Sequence, residues 1–260
     1  STMAVAMEAA AENGKEFVVL DRPNPLGGQR VEGPPLEPRW KSFVGQIPVP
    51  YVHGMTTGEL AIMTAAQGWI SRAPKLRVVK MQGWTRNMMW QNTGLRWYRT
   101  SPNIPHATSP GYYVATGMLG GASAVDIGIG TENPFGYAGG RGVNPDAFVA
   151  ACRRWNMPGV GFTPYSRNGF GGARLSIPPQ AGANLTALDV YLIAELNRQS
   201  GGKVLSNMSG DKLSLFHKVY GSDALYAQLK RGVSPASIVA AWERSVSAFR
   251  GQRQRYLLYT

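Results

Sequence analysis

A short apolar run, Phe17-Val18-Val19-Leu20, stops at Asp21-Arg22-Pro23-Asn24-Pro25, and this junction limits the fold more than any other stretch. An unbroken apolar run rich in β-branched residues suits a buried strand of a parallel sheet. Pro23 and Pro25 remove backbone donors and restrict the residues before them, so the strand cannot continue. Asp21, Arg22 and Asn24 are thereby delivered to a strand's C-terminal end, where open α/β sheets carry their sites. Residues 1–14 read as a helix, favoured by Ala, Met and Glu and ended by Gly14. Helix then strand looks like the last αβ unit of a parallel sheet. Its unpaired edges call for neighbours, supplied by later strands, an upstream segment or a partner chain.

Residues 22–54 read mostly as a Pro- and Gly-rich loop, and a loop of that length in a compact domain is usually functional or disordered. Its aromatic and aliphatic content argues for order. Thr56 with Glu59 three residues on forms a capping box opening a helix over about 57–70. Residues 76–81 alternate well enough for a strand. Residues 111–119 suit a strand or a short helix, and 125–129 suit a strand. Asn144-Pro145-Asp146 opens a helix ending by Met157-Pro158. Short strands and turns are expected over 159–180. Helices follow at about 185–199, with Leu185, Leu188, Leu192 and Leu196 on one face, at 211–218, at 222–230, and from Ser234-Pro235 to about Phe249. The fold class is α/β: a mixed sheet with flanking helices.

At 260 residues the chain is long enough for one large domain or two small ones. With 27 Lys and Arg against 15 Asp and Glu, its net charge is +12. The basic residues are dispersed, with no nucleic-acid motif, which argues against nucleic acid and leaves a positive field suited to an anionic partner. The single cysteine, Cys152, excludes an internal disulfide and reads as a small core residue, although Arg153 and Arg154 beside it could lower its pKa. His53, His106 and His217 are too scattered for a metal motif. The glycine-rich 120–140 segment is no dinucleotide fingerprint, so neither metal nor cofactor is expected. No apolar run is long enough to span a membrane.

Acid–base groups near expected loop tips are few: Asp21, His53, Glu59, Asp126 and Glu132. Arg22, Asn24 and Asn103 stand near them as hydrogen-bonding groups. Hydrolysis of a glycoside needs two carboxyl groups flanking the scissile bond, and Asp21, Glu59 and Glu132 are the candidate suppliers. Each also has a plain structural role available, in a turn, a capping box or a surface loop. Trp84, Trp90 and Trp97 lie near Arg86, Arg96 and Arg99, a composition that makes sugar-stacking platforms and anion clamps as readily as ordinary core. No Gly-x-Ser-x-Gly elbow supports a serine hydrolase.

DRPNPLGG, VEGP, SFVGQIPVP, HGMTTGELA, MQGWTR, SPNIP, GTENPF and the terminal YLLY, in this order along nearly the whole chain, resemble the exo-β-N-acetylmuramidase family. The resemblance implies a bacterial glycoside hydrolase, periplasmic or extracellular, that releases terminal N-acetylmuramic acid from peptidoglycan fragments, with an anionic amino-sugar glycan as its partner. It also implies a Rossmann-like domain followed by a smaller α/β domain, with residues 1–50 as the last αβ unit of the first and 51–260 as the second. The resemblance carries Asp21, Arg22, Asn24, His53, Glu59 and Asn103 onto this chain as cleft residues, without a complete catalytic pair; taken with the chemistry of the residues, Glu59, Asp21 and His53 are the catalytic candidates and Arg22, Asn24, Asn103, Arg86 and Glu132 the substrate-binding ones. Two departures stand out. The family's upstream Rossmann-like portion, with a Pro-Glu-His-Gly loop, is absent from this sequence. The family's Glu-Gly-Thr-Asn and Gly-Arg-Gly-Thr blocks read Gly121-Ala122-Ser123-Ala124 and Gly128-Ile129-Gly130-Thr131 here. Two other readings stay open: a non-catalytic glycan-binding protein that dimerises or needs a partner chain, and a hydrolase acting on another substrate.

Overall fold

The computed structural model describes residues 1–260 and divides into two compact units, 1–95 with 243–260, and 96–242. The first begins with α1 (Thr2–Glu12), whose Ala4, Met7 and Ala11 face inward. A turn at Gly14 (φ +60°) leads into β1 (Glu16–Leu20). The short antiparallel strands β2 (Glu32–Pro35) and β3 (Pro50–Val52) follow, in a stretch expected to be mostly loop. Next come α2 (Thr57–Ala66) and β4 (Lys75–Val79), which pairs with β1 in parallel, Phe17 opposite Leu76 and Val19 opposite Val78. This β–α–β unit supplies β1 with the neighbour its sequence called for. Ala4, Met7, Val19, Ile47, Ala61 and Ile70 form the buried cluster beneath it.

β1 differs from the expected strand buried on both faces. Val19 is buried, whereas Val18 and Leu20 are exposed, because α1 and α2 both pack on the Val19 side. The boundary expected at residue 50 also differs from the division observed. Pairing of β1 with β4 ties residues 1–50 to 51–95, and the last helix and tail return to the same unit.

The second unit carries α3 (Ser109–Thr116), then a four-stranded antiparallel sheet of β5 (Val125–Asp126), β6 (Tyr137–Arg141), β7 (Gly161–Arg167) and β8 (Phe170–Ser176) in the order β5-β6-β8-β7. α4 (Pro145–Cys152) opens at Asn144, whose side chain accepts from the Ala147 N–H at 2.9 Å. α5 (Leu185–Gln199) is capped alike by Asn184, and its four expected leucines are all buried. Both helices pack on the sheet. Four shorter helices follow: α6 (Lys203–Ser206), α7 (Gly210–Tyr220), α8 (Ala224–Lys230) and α9 (Pro235–Ala240). The single long helix expected from 235 is broken. The Trp242 N–H bonds back to the Val239 carbonyl, a tightened turn that ends α9, and α10 (Glu243–Arg253) starts in the first unit. No helix is long and apolar enough to cross a membrane.

Candidate functional site

The DRPNP turn lies at the C-terminal ends of β1 and β4, and a cleft of about 150 Å³ opens there. Asp21, Arg22 and Pro23 form one side; Met81, Gln82, Gly83, Trp84, Met88, Thr93 and Leu95 form the rest. Its lining mixes polar and apolar groups.

Asp21 is 6% exposed and its carboxylate is fully occupied. Oδ1 accepts from the Gly58 N–H at 2.7 Å and the Arg22 N–H at 3.0 Å. Oδ2 accepts from the Thr56 hydroxyl at 2.7 Å and the Tyr259 hydroxyl at 2.6 Å. A carboxylate has about four lone-pair positions, and all are taken. Gly58 is required at the contact, because a Cβ there would lie 2.8 Å from the Asp21 carboxyl carbon.

Glu59 is completely buried. Its Oε2 accepts from the Thr56 N–H at 2.9 Å, while Thr56 Oγ1 accepts from the Glu59 N–H at 3.2 Å, closing the expected capping box. Oε1 accepts from Arg86 Nη1 at 2.7 Å and from the Leu258 N–H at 2.8 Å. Arg86 also donates to the carbonyls of Gly28 and Gly54, where Arg253 converges from α10. Burial and the neighbouring Arg86 lower the Arg253 guanidinium to about 10, against the pull of Glu59. Two cations and one anion thus share a buried cluster that holds the 28–30 and 53–54 loops together.

His53 accepts the Met55 N–H at Nδ1, 3.1 Å away, and burial together with Arg253 pushes its imidazole down to about 4. The ring is therefore neutral near pH 7 and supplies no acid there. Asn24 spends its side chain inside the turn, donating to the Met55 carbonyl at 3.0 Å and accepting from the Leu26 N–H at 2.9 Å. Arg22 alone among these polar groups is exposed, and it lines the cleft.

The first unit thus brings together Asp21, Arg22, Asn24, His53, Glu59 and Arg86, while Asn103 and Glu132 belong to the second. Glu132 is exposed on the turn after β5, and Asn103 is half-buried in the loop before α3. Ala124 (φ +54°) and Phe135 (φ +66°) flank the segment holding Asp126 and Glu132 in the left-handed region, a strain that clusters at functional segments. Asp126 is bound by Arg167 through bonds of 3.0 and 2.6 Å.

The geometry bears on several expectations. Asp21 and Glu59 are sealed by their own hydrogen bonds, which disfavours either as an open acid, base or nucleophile. Arg86 and Asn24 spend their side chains on protein groups. The Trp–Arg platform does not assemble: Trp84 is buried edge-on to Tyr259 at 5.2 Å, and Arg96 lies over Tyr98. Cys152 is buried and its thiol is raised by burial, so Arg153 and Arg154 do not activate it. The sequence reading missed Tyr259, Leu258 and Arg253. Tyr259 donates to Asp21 and accepts from the Met81 N–H at 3.1 Å, joining the tail to both strand ends. Its motif, YLLY, was visible, but nothing in it indicated a carboxylate partner 238 residues away.

Together these features define an α/β protein of two units, the first with a cleft at the C-terminal ends of parallel strands and a buried Arg86–Glu59 ion pair behind it. Residues 1–108 match the family model described as exo-β-N-acetylmuramidase NamZ, N-terminal, and residues 111–259 match the C-terminal one. The chain belongs to the exo-β-N-acetylmuramidase NamZ family. It is 36% identical to the peptidoglycan β-N-acetylmuramidase NamZ of Bacillus subtilis (strain 168), over 99% of this chain and 63% of that protein. The chain thus spans just under two thirds of that relative's length. The crystal structure of a DUF1343 family protein from Bacteroides fragilis superposes with a TM-score of 0.94 at 35% identity, covering 100% of this chain and 70% of that one. A second protein of that family from the same organism gives 0.66 at 30% identity with the same coverage.

Proposed function

We propose that this chain serves an exo-acting β-N-acetylmuramidase, binding the terminal N-acetylmuramic acid of peptidoglycan fragments for hydrolysis of its glycosidic bond. The observation that carries this reading is the cleft, where the exposed Arg22 lines the same opening as Met81, Met88 and Leu95. Muramic acid offers a matching pair of features, a carboxylate for a guanidinium and an apolar ring face for those apolar side chains. Asp21, Glu59, Asn24 and Arg86 hold the frame of the first unit's cleft through their hydrogen bonds, and His53 stays neutral in the same unit.

The test is release of free N-acetylmuramic acid from a chromogenic muramic acid glycoside by the purified chain, wild type against Arg22→Ala. Loss of one charge-assisted hydrogen bond should raise KM about tenfold or more for the acidic sugar, with little change for the neutral N-acetylglucosamine glycoside. Equal effects on both sugars would refute Arg22 as the carboxylate's partner. The sealing of Asp21 and Glu59 favours a second reading, in which the chain binds the sugar without turning it over. Calorimetric binding with no product would support that reading over the first.

A further inference from the structure

The sheet of the second unit has one covered face and one open face. Ala138, Phe162, Ala173 and Leu175 point toward α4 and α5 and are buried. Directly paired residues share a face, so the register assigns the opposite side to three rows. Tyr137, Arg174 and Thr163 form the first, Gly139, Gly172 and Tyr165 the second, and Arg141, Phe170 and Arg167 the third.

The middle row explains the surface. Gly139 and Gly172 leave a shelf, and a Cβ on Gly139 would collide with the Tyr165 hydroxyl. The Tyr165 ring therefore lies across the sheet above the glycines, with its hydroxyl 3.3 Å from Asp126 Oδ2. Tyr137 packs against it edge-on, with centroids 4.9 Å apart. Asp126, the face's acidic group, is neutralised by its two bonds from Arg167 and one from the Gly128 N–H at 2.9 Å. Arg141 and Arg174 remain exposed without a carboxylate partner, Arg141 lying over Phe170 at 4.5 Å. The open face thus combines fixed aromatic rings with two guanidiniums that no carboxylate pairs.

We propose that this face is a second glycan-binding surface, separate in its residues from the cleft of the first unit, and that it takes the carboxylate-bearing sugar chain of peptidoglycan. The choice of peptidoglycan rests on the function proposed above. Sugar rings present apolar faces that stack on aromatic rings, and the carboxylates of muramic acid and its peptides pair with guanidinium groups. Two arginines without carboxylate partners, on the face that holds the tyrosines, fit spaced carboxylates better than the continuous charge of a nucleic acid backbone.

The test is co-sedimentation of the purified chain with insoluble peptidoglycan stripped of attached anionic polymers. Compared are the wild type, Arg141→Ser/Arg174→Ser, Tyr165→Leu and Tyr165→Phe, each checked for folding by near-UV circular dichroism. Retention should weaken about tenfold or more in the double arginine variant and clearly in Tyr165→Leu, while Tyr165→Phe keeps its ring and its retention. Turnover of a small soluble muramic acid glycoside should be unchanged in the arginine variant. Wild-type retention by the double variant or by folded Tyr165→Leu would overturn the proposal. So would equally tight binding of single-stranded DNA, a wild type that does not sediment, or a parallel fall in turnover, which would assign the face to the reaction itself. Sedimentation reads binding whether or not the chain is active, so failure of the proposed activity leaves this test intact.

Discussion

Replacing Glu59 with Gln separates a reacting carboxylate from a structural one. The carboxylate meets three donors: Thr56 N–H at 2.9 Å on one oxygen, Arg86 Nη1 at 2.7 Å and Leu258 N–H at 2.8 Å on the other. A glutamine keeps one acceptor oxygen. If that oxygen faces Arg86 and Leu258, the amide nitrogen confronts the Thr56 donor; if it turns, two donors are stranded. The charge also vanishes from a fully buried site where Arg86 and Arg253 stand side by side. Removing one partner of a buried ion pair costs about 3–5 kcal/mol. The second cation favours the upper half of that range. At roughly 2–4 °C per kcal/mol for a protein of this size, the melting temperature should fall by roughly 8–20 °C. The assay is urea unfolding followed by circular dichroism, for Glu59→Gln, Arg86→Met and the double variant. The double variant should lose clearly less than the sum of the singles, because it removes both charges together. If Glu59→Gln stays within about 1 kcal/mol of wild type and still abolishes turnover, the structural reasoning is refuted and Glu59 is a reacting group.

Three further outcomes follow from the same geometry. The folded chain holds His53 at about 4 against an ordinary value of 6.5, so the unfolded chain binds a proton that the folded one refuses. This stabilisation is complete above pH 6.5 and is lost as the pH falls toward 4, by up to about 3 kcal/mol; stability against pH for His53→Asn, which keeps an acceptor for Met55, should lack that slope. Tyr259→Phe should cost about 1–2 kcal/mol in urea unfolding, by taking a donor from Asp21 and an acceptor from the Met81 N–H while keeping the ring against Trp84; an unchanged midpoint would show that the tail does not hold the strand ends. Cys152, buried and with its thiol raised by burial, should resist iodoacetamide in the native protein and react only on unfolding; rapid native labelling would contradict that burial.

Local order was largely readable because its causes are local. The Thr56–Glu59 capping box, the Asn144-Pro145 start and the leucine stripe of α5 each depend on residues within a few positions of one another. The strand at 16–20 was readable from its apolar run and the prolines that end it. Its one-sided burial was not, because that depends on where α1 and α2 come to rest. The break between α9 and α10 escaped for a similar reason. Residues 235–249 keep helical periodicity throughout, and the turn at Trp242 is made where that side chain is buried against Tyr220.

The candidate site was half readable, and the missing half explains why its roles shifted. Asp21, Arg22, Asn24, His53 and Glu59 were identified as a polar cluster, and they do converge. Their partners come from far along the chain: Arg86 lies 27 residues from Glu59, Leu258 lies 199, and Tyr259 lies 238 from Asp21. A carboxylate at a strand end looks reactive when its neighbours in sequence are counted, since none of them neutralises it. Once the tail and α10 return, every lone pair on Asp21 and both oxygens of Glu59 are engaged. A dense run of polar motifs can therefore record the assembly of a frame as well as a reaction. In this frame the group left without a protein partner is Arg22, which is why the cleft's chemistry is argued from a guanidinium and not from the carboxylates around it.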